Sequence, residues 1–470
     1  MSSKLSFTIE TELSPINFTY LLKFIEEGYL RRKDIFRDIN FMEDERGKVL
    51  SFKVMVEGLL WSIDVSIIAG NPILVEMLQN GPVPEEFVSR IKEDLFITVQ
   101  VFEERVRQAT LYFTWVEGET IVPEKVFSKK NNLIIKVFSE SMLFFFLIFI
   151  FISVFLFIIF GPYTPVLLVM VQFIILLYSG KIVSSVGDWE ITKDNPYVHI
   201  LQYQLTPEEF ERVKANPKIL MEIKNEVYSV TLAKGRKVEC ETAKEVFSKY
   251  GLKCVPESVS AKILNLYELV EFACKRFKLP VPKIVLSNIT IPNAAASGVS
   301  SRYGVMLITT GLLTQLDEEE ILTVIGHELS HIKGKDTVAF FTLASAEYIL
   351  RVYVLWPLVA VLGFIYLLLA FSLVYFIAKF FESKADLESA IVIGKPKVLA
   401  EALRKIGYRR LLLERDFSFR VRSWLGFDPH PPIYFRIKRL ERLEKPEAIK
   451  HPLLESMKDN IKEFISLFRQ

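Results

Sequence analysis

The stretch Ile321-Leu322-Thr323-Val324-Ile325-Gly326-His327-Glu328-Leu329-Ser330-His331 decides how this chain is read. An apolar run feeds a His-Glu-x-x-His pattern. On a helix, His327 and His331 stand i and i+4, so both imidazoles leave from one face. That spacing suits two ligands of one tetrahedral zinc ion. Glu328 lies about 100° round the helix from His327. From there it reaches a water on the metal without being a ligand, which is the place of a general base. Just upstream, Asp317-Glu318-Glu319-Glu320 reads as the acidic first turn of this helix.

The chain after His331 turns apolar at Val338 and stays so to Ala378, a run of 41 residues. Glu347 and Arg351 interrupt it at i and i+4, close enough to pair. Trp356-Pro357 marks a turn, so the run predicts helices at about 338–355 and 358–378. Glu382 follows as the third zinc ligand. To join His327 and His331 on one metal, the intervening segment must return to the side it left, and two crossings do that. Asp386, one helical turn beyond Glu382, is placed to accept the distal N–H of a zinc-bound histidine and fix its tautomer. Lys333, Lys335, Lys379 and Lys384 flank the run and put both of its ends on the cytoplasmic side.

Further upstream, Met142–Phe160 is 19 residues with only Ser153 polar. Gly161-Pro162-Tyr163-Thr164-Pro165 breaks the run, and Val166–Tyr178 is apolar again. This predicts another membrane hairpin, its open ends flanked by Lys129, Lys130, Lys136 and Lys181. The regions on either side, 1–137 and 183–260, have soluble composition. Val49–Val54 and Ala109–Thr114 read as strands, and Pro84-Glu85-Glu86-Phe87 as a helix start. An internal echo links the two regions. Asn71-Pro72, Pro84-Glu85-Glu86-Phe87 and Val126-Phe127-Ser128-Lys129 recur as Asn195-Pro196, Pro207-Glu208-Glu209-Phe210 and Val246-Phe247-Ser248-Lys249. A duplicated soluble domain with the hairpin inserted between its copies would produce this.

Of the 470 residues 51% are hydrophobic, which suits several cores and membrane segments. A net charge of +2 implies no polyanion partner, so nucleic acid is not expected. Cys240, Cys254 and Cys274 show no CxxC spacing and read as free thiols in a reducing compartment. Met1–Leu30 has no basic segment followed by an apolar run, so no cleaved signal peptide is expected.

Leu264–Phe277 has the apolar period of a helix, and Lys283–Leu286 and Val305–Thr309 read as strands around Pro292-Asn293-Ala294-Ala295-Ala296-Ser297-Gly298. Val398–Leu413 is a basic amphipathic helix whose Arg404, Lys405, Arg409 and Arg410, with Arg415 beyond, mark a solvated or headgroup-facing side. Asp428-Pro429-His430-Pro431-Pro432 precedes a helix with Arg436, Ile437 and Leu440. His199 and His451 stand without supporting context.

Four signatures in this order resemble peptidase family M48, on its HtpX-like branch. They are Asn293-Ala294-x-Ala296-x-Gly298, the His-Glu-x-x-His helix, Glu382-x-x-Ala385-Asp386, and His430-Pro431-Pro432-x-x-x-Arg436-Ile437. The resemblance covers roughly Leu264–Leu443. It implies one zinc ion held by His327, His331 and Glu382, with Glu328 as base. It also implies that Asn293 and His430 flank the scissile carbonyl as donors to developing negative charge, with Asp386 and Arg436 behind the ligands. The strand beside Asn293 would then take an extended peptide by edge pairing. The extra soluble regions depart from the HtpX-like pattern, which usually begins with a transmembrane hairpin. A four-span chain also departs from the seven-span chamber of the family's prenyl-protein proteases.

The expected fold is α+β: a mainly helical, membrane-embedded zincin-type metalloprotease with four transmembrane helices in two hairpins and additional soluble α+β domains. The expected domains are a soluble one at 1–137, a hairpin at 138–182, a soluble one at 183–260, the protease at 261–450 with its hairpin at 338–378, and a tail at 451–470. The expected function is a multi-pass endopeptidase of the cell membrane, cleaving membrane or misfolded proteins on the cytoplasmic face. The partners implied are protein substrates and the lipid bilayer; the oligomeric state stays open. A maturation protease with one dedicated substrate, or an inactive adaptor on the same scaffold, are the alternatives.

Overall fold

The structure is a computed structural model that describes residues 2–123 and 142–469, apart from 33, 57, 59, 217 and 300. Lys129, Lys130, Lys136 and the first Val-Phe-Ser-Lys of the echo lie outside the described residues. In chain order the elements are β1 (Ser2–Ile9), α1 (Phe18–Gly28), β2 (Phe36–Asp44), β3 (Gly47–Met55), β4 (Ser62–Ile68), β5 (Ile73–Asn80), α2 (Glu85–Gln108) and β6 (Thr110–Val116). Next come α3 (Met142–Phe160), α4 (Thr164–Val186), β7 (Trp189–Ile191), β8 (Tyr197–Gln204), α5 (Pro207–Ala215), α6 (Lys218–Val230), α7 (Cys240–Lys249) and β9 (Val259–Asn265). The rest is α8 (Leu266–Phe277), β10 (Lys283–Ser287), β11 (Ala294–Ser297), β12 (Val305–Thr309), α9 (Thr310–Gln315), α10 (Glu318–Gly334), α11 (Asp336–Tyr353), α12 (Trp356–Leu362), α13 (Phe364–Ile393), α14 (Pro396–Leu413), α15 (Phe417–Leu425), α16 (Ile433–Glu441) and α17 (Pro452–Ser466). Two compact units emerge, one of Met1–Phe113 with Ile200–Lys262 and one of Thr114–His199 with Ile263–Gln470.

In the first unit an antiparallel sheet runs β1-β5-β4-β3-β2. Apolar residues alternate along its strands, so one face buries Leu50, Phe52, Ile63, Val65, Val75 and Met77. Leu21, Leu22 and Ile25 of α1, and Ile91, Leu95 and Val99 of α2, lie buried at helical spacing. β6, β8 and β9 form a separate three-stranded sheet with β8 in the middle. Among the described residues the echo covers a strand running into a helix, and the two settings differ. α2 continues for 24 residues, whereas α5 stops after 9; β5 pairs with β1 and β4, whereas β8 pairs with β6 and β9. Two of the three cysteines differ from the free thiols expected. The turn after α7 brings Cys254 back to Cys240, with Cα atoms 6.0 Å apart, and the two sulfurs pair as a disulfide. Cys274 is free and buried on α8.

The second unit is built round α10. Asp317 and Glu320 close a reciprocal cap at its start. Ile321, Ile325 and Leu329 are buried against their neighbours. A small sheet, β11-β12-β10-β7, leaves β11 at an edge, and β11 packs on α10. α13 crosses α10 closely because Gly326 has no side chain: a Cβ there would lie 2.7 Å from both Ile393 Cγ1 and Ser389 Oγ. Two bonds lock the crossing, Ser330 Oγ to Glu388 Oε2 and Ser389 Oγ to Thr323 O, each 2.7 Å.

Two helical runs among the described residues, Phe151–Val186 and α13, are long and apolar enough to cross a membrane. α11 and α12 make a third if taken as one span bent by 82°. Length and composition therefore support two or three crossings, against the four expected. α3 runs into α4 through only a short turn at Gly161–Tyr163, and α12 has just 7 residues. Ser153 and Phe157 of α3, Thr164 and Pro165 of α4, and Tyr348 and Val352 of α11 line one cavity of about 500 Å³. The charged pair inside the apolar run forms as expected: Arg351 Nε lies 3.2 Å from Glu347 Oε1, and the guanidinium covers the rings of Tyr348 and Phe371.

Candidate metal centre

His327 and His331 project from one face of α10, with ring centroids 4.9 Å apart and planes at 84°. Glu382 comes from α13, and the glycine-enabled crossing brings it opposite both rings. The Nε2 atoms of the two histidines are 3.2 Å apart, and each lies 3.4 Å from a Glu382 carboxylate oxygen. Zinc bonds of roughly 2.0–2.1 Å at the tetrahedral angle set neighbouring ligand atoms about 3.3–3.4 Å apart. The three edges of this triangle match that spacing. Among the described residues Glu382 Oε2 is buried without a hydrogen-bond partner, and it converges with the two ring nitrogens on one point. A borderline divalent cation such as zinc fits this donor set of two imidazoles and a carboxylate. Glu328 sits between the ligands on α10 and is 8% exposed, so it is shielded but reachable.

Each histidine has a carboxylate behind it. His327 Nδ1 lies 3.0 Å from Asp386 Oδ1, and Arg436 clamps both Asp386 oxygens at 2.7 and 2.8 Å. His331 Nδ1 lies 2.9 Å from Asp336 Oδ2, and Lys384 Nζ bonds the same carboxylate at 2.9 and 3.2 Å. Both arms leave Nε2 as the atom facing the triangle.

His430 enters from the loop before α16, its Nε2 3.6 Å from Glu382 Oε2. Asn293 stands immediately before edge strand β11. Its backbone is tied to Thr309, with Asn293 N–H donating to Thr309 Oγ1 at 2.9 Å, and no hydrogen bond joins it to the ligand cluster. The structure thus gathers His327, His331, Glu382, Asp386, Arg436 and His430, and leaves Asn293 near them only through the packing of β11 on α10.

Several participants carry no role at the site in the sequence reading. Asp336 and Lys384 are one pair: the acid lies five residues past His331, and the lysine reads in sequence as a membrane-flanking charge. Lys379, read the same way, is fully buried and donates to the carbonyl oxygens of Gly426 and Asp428. The basic helix α14 turns much of its charge inward instead of to water or headgroups. Lys405 meets Glu320 at 2.8 Å, Arg404 meets Glu401 and Glu441, and Arg410 meets Asp428 at 2.6 Å and Glu414 at 3.0 Å. Glu414 accepts the backbone N–H groups of Ile433 and Tyr434, both at 3.0 Å, capping the start of α16.

Comparison with known proteins gives a consistent result. The model of peptidase family M48 matches residues 260–444. A protease HtpX homolog from Thermodesulfovibrio yellowstonii is 34% identical over 235 residues, covering 43% of this chain and 82% of that protein. Another, from Pyrococcus furiosus, is 31% identical over 230 residues, covering 42% of this chain and 78% of its own. The crystal structure of Ste24p from S. mikatae aligns with 37% of this chain and 48% of its own at 17% identity, with a TM-score of 0.27, too slight a likeness to build on.

Proposed function

The chain belongs to peptidase family M48 as an HtpX-like zinc metalloprotease, and on that footing we propose that His327, His331 and Glu382 hold its zinc while Glu328 works as the general base. The observation that carries this is the ligand triangle, whose edges of 3.2, 3.4 and 3.4 Å suit one tetrahedral ion. When bound, the ion polarises the scissile carbonyl and makes water acidic enough to attack near neutral pH. Glu328 takes the proton of the attacking water and later passes it to the leaving amine. Asp386 and Asp336 keep the two imidazoles in the tautomer whose Nε2 faces inward. His430 faces the carbonyl oxygen from the Glu382 side and stabilises the charge that develops there. β11 offers an open edge beside α10, where an extended peptide adds as a further strand and Asn293 anchors its far side.

Substrates are peptide segments of membrane or misfolded proteins close to the bilayer. What supports this is the position of Glu382, one helical turn, about 6 Å, past the end of the apolar run of α13 at Ala378. The reading includes four crossings in two hairpins and a site on the cytoplasmic face, supported by Lys181, Lys333 and Lys335 at the ends of the apolar runs.

Zinc content and casein cleavage in detergent, for wild type and Glu328→Ala, test the proposal. We expect a cleaving wild type beside a variant that keeps its zinc and loses roughly 10²–10⁴-fold in kcat, the range of a general base. Zinc missing from the wild type would overturn the ligand assignment. A variant that cleaves at full rate would remove Glu328 from the reaction.

A further inference from the structure

His430 is half exposed, and a half-exposed imidazole turns freely unless something holds it. Asp428 holds it twice. Its Oδ1 lies 2.8 Å from His430 Nδ1 and accepts the His430 backbone N–H at 2.8 Å. Pro429 lies between the two residues and fixes its own φ, so this short loop has little freedom to open. A carboxylate only accepts, so the proton of this pair sits on Nδ1 and Nε2 is left to face Glu382.

Asp428 is itself held from both sides. Arg410 of α14 donates to its other oxygen, Oδ2, at 2.6 Å. Lys379 of α13, one turn before Glu382, grips its carbonyl oxygen. Arg410 also bonds Glu414, which caps α16. The carboxyl of Asp428 is held well below the usual carboxylate range: burial opposes the charge, but the His430 and Arg410 contacts outweigh it. If Asp428 only braced the loop, its bond to Arg410 and the grip of Lys379 would suffice. The His430 backbone N–H on Oδ1 is an Asx turn and belongs to such a brace; the contact of Oδ1 with the ring Nδ1, at 2.8 Å, is the part a brace leaves unexplained.

We infer that Asp428 is a positioning residue for peptide hydrolysis, holding the His430 ring with Nε2 turned toward the substrate carbonyl beside Glu382. This rests on the reading of His430 given above.

The test is a double-mutant cycle on the full-length enzyme in detergent, with casein as substrate and zinc content measured alongside. We expect Asp428→Ala to lower kcat by roughly 10–100-fold, the usual cost of an orienting partner, with KM little changed and zinc retained. We expect Asp428→Asn, which keeps an acceptor oxygen, to recover part of the loss. In a His430→Gln background, Asp428→Ala should cost nothing further, because its effect runs through the ring that is gone. An equal loss in both backgrounds would make Asp428 a loop brace and overturn the inference. The same cycle run with Asp428→Asn reads the coupling if the alanine variant does not fold. His430→Gln cleaving at full rate would fell the reading of His430 by itself, and this inference with it.

Discussion

The two histidine arms of the metal centre solve one problem in two ways. Each must keep a buried carboxylate charged behind a ligand. Asp336 stands at the first position of α11, where the free N–H groups and the helix dipole already favour a negative charge. A single lysine, Lys384, completes its surroundings. Asp386 lies in the interior of the 30-residue helix α13 and has no helix end to lean on. Its charge is met instead by the bidentate fork of Arg436, with side-chain exposures of 2% for the acid and 7% for the arginine. The difference teaches that the arginine is indispensable where the backbone gives no help, and that the lysine is a supplement where it does.

The largest expected effect breaks the comparison at Arg436. Arg436→Met leaves Asp386 buried with only His327 beside it among the described residues, and removing one member of a buried pair costs about 3–5 kcal/mol. Lys384→Met leaves Asp336 its helix end and should cost less, on the order of 1–2 kcal/mol. Thermal unfolding of the two zinc-loaded variants measures this. Equal losses would show that the helix position of Asp336 counts for nothing.

A subtler change sharpens the same contrast. Gly334 ends α10 beside the second arm, and a Cβ there would collide with Lys384 Nζ and the Asp336 carboxylate. Gly334→Ala should therefore loosen the His331 arm alone. The expected result is zinc affinity lower by about tenfold, at the mild end for a disturbed outer partner, with the fold intact. Competition with a chelator reads it. Unchanged affinity would mean that the ligand geometry does not depend on this arm.

Which parts were legible in the sequence follows from how far apart the partners lie. His327, Glu328 and His331 share one helix turn, and Glu382 and Asp386 share another, so helical spacing alone groups each set. The match between the sets rests on reading Glu382 as the third ligand, and the demand for an even number of crossings only tests that reading. Asp336 was missed because Lys335 takes a left-handed turn, φ 52°, that breaks the periodicity and redirects the acid back toward His331. Lys379 and Lys384 were misread because a lysine next to an apolar run looks like a membrane flank, whereas here both aim inward along α13. The joining of Ile200–Lys262 with Met1–Phe113 in one unit left no local pattern, since strand pairing between distant segments has none.

A separate effect, read without zinc, concerns the proton that replaces the metal when a chelator removes it. Burial opposes a charge on His327, but Asp386 and Glu382 outweigh it and hold the imidazole up at about 10, against an ordinary 6.5. His331 is also raised, with burial against it and Glu382 and Asp336 in favour. A group whose folded pKa is raised adds stability that is fully present below its unfolded value and lost as pH rises through the folded one. The Tm of the chelated protein should therefore fall as pH climbs from about 6.5 toward 10. Asp386→Asn removes a leading partner of that proton and should flatten the fall more than Asp336→Asn does. The Arg436 arm would then matter twice, once for orienting His327 on zinc and once for the charge left behind. A flat Tm across that range in the wild type would show that the empty cluster stores no proton, and that the Asp386 arm serves only to orient the ring.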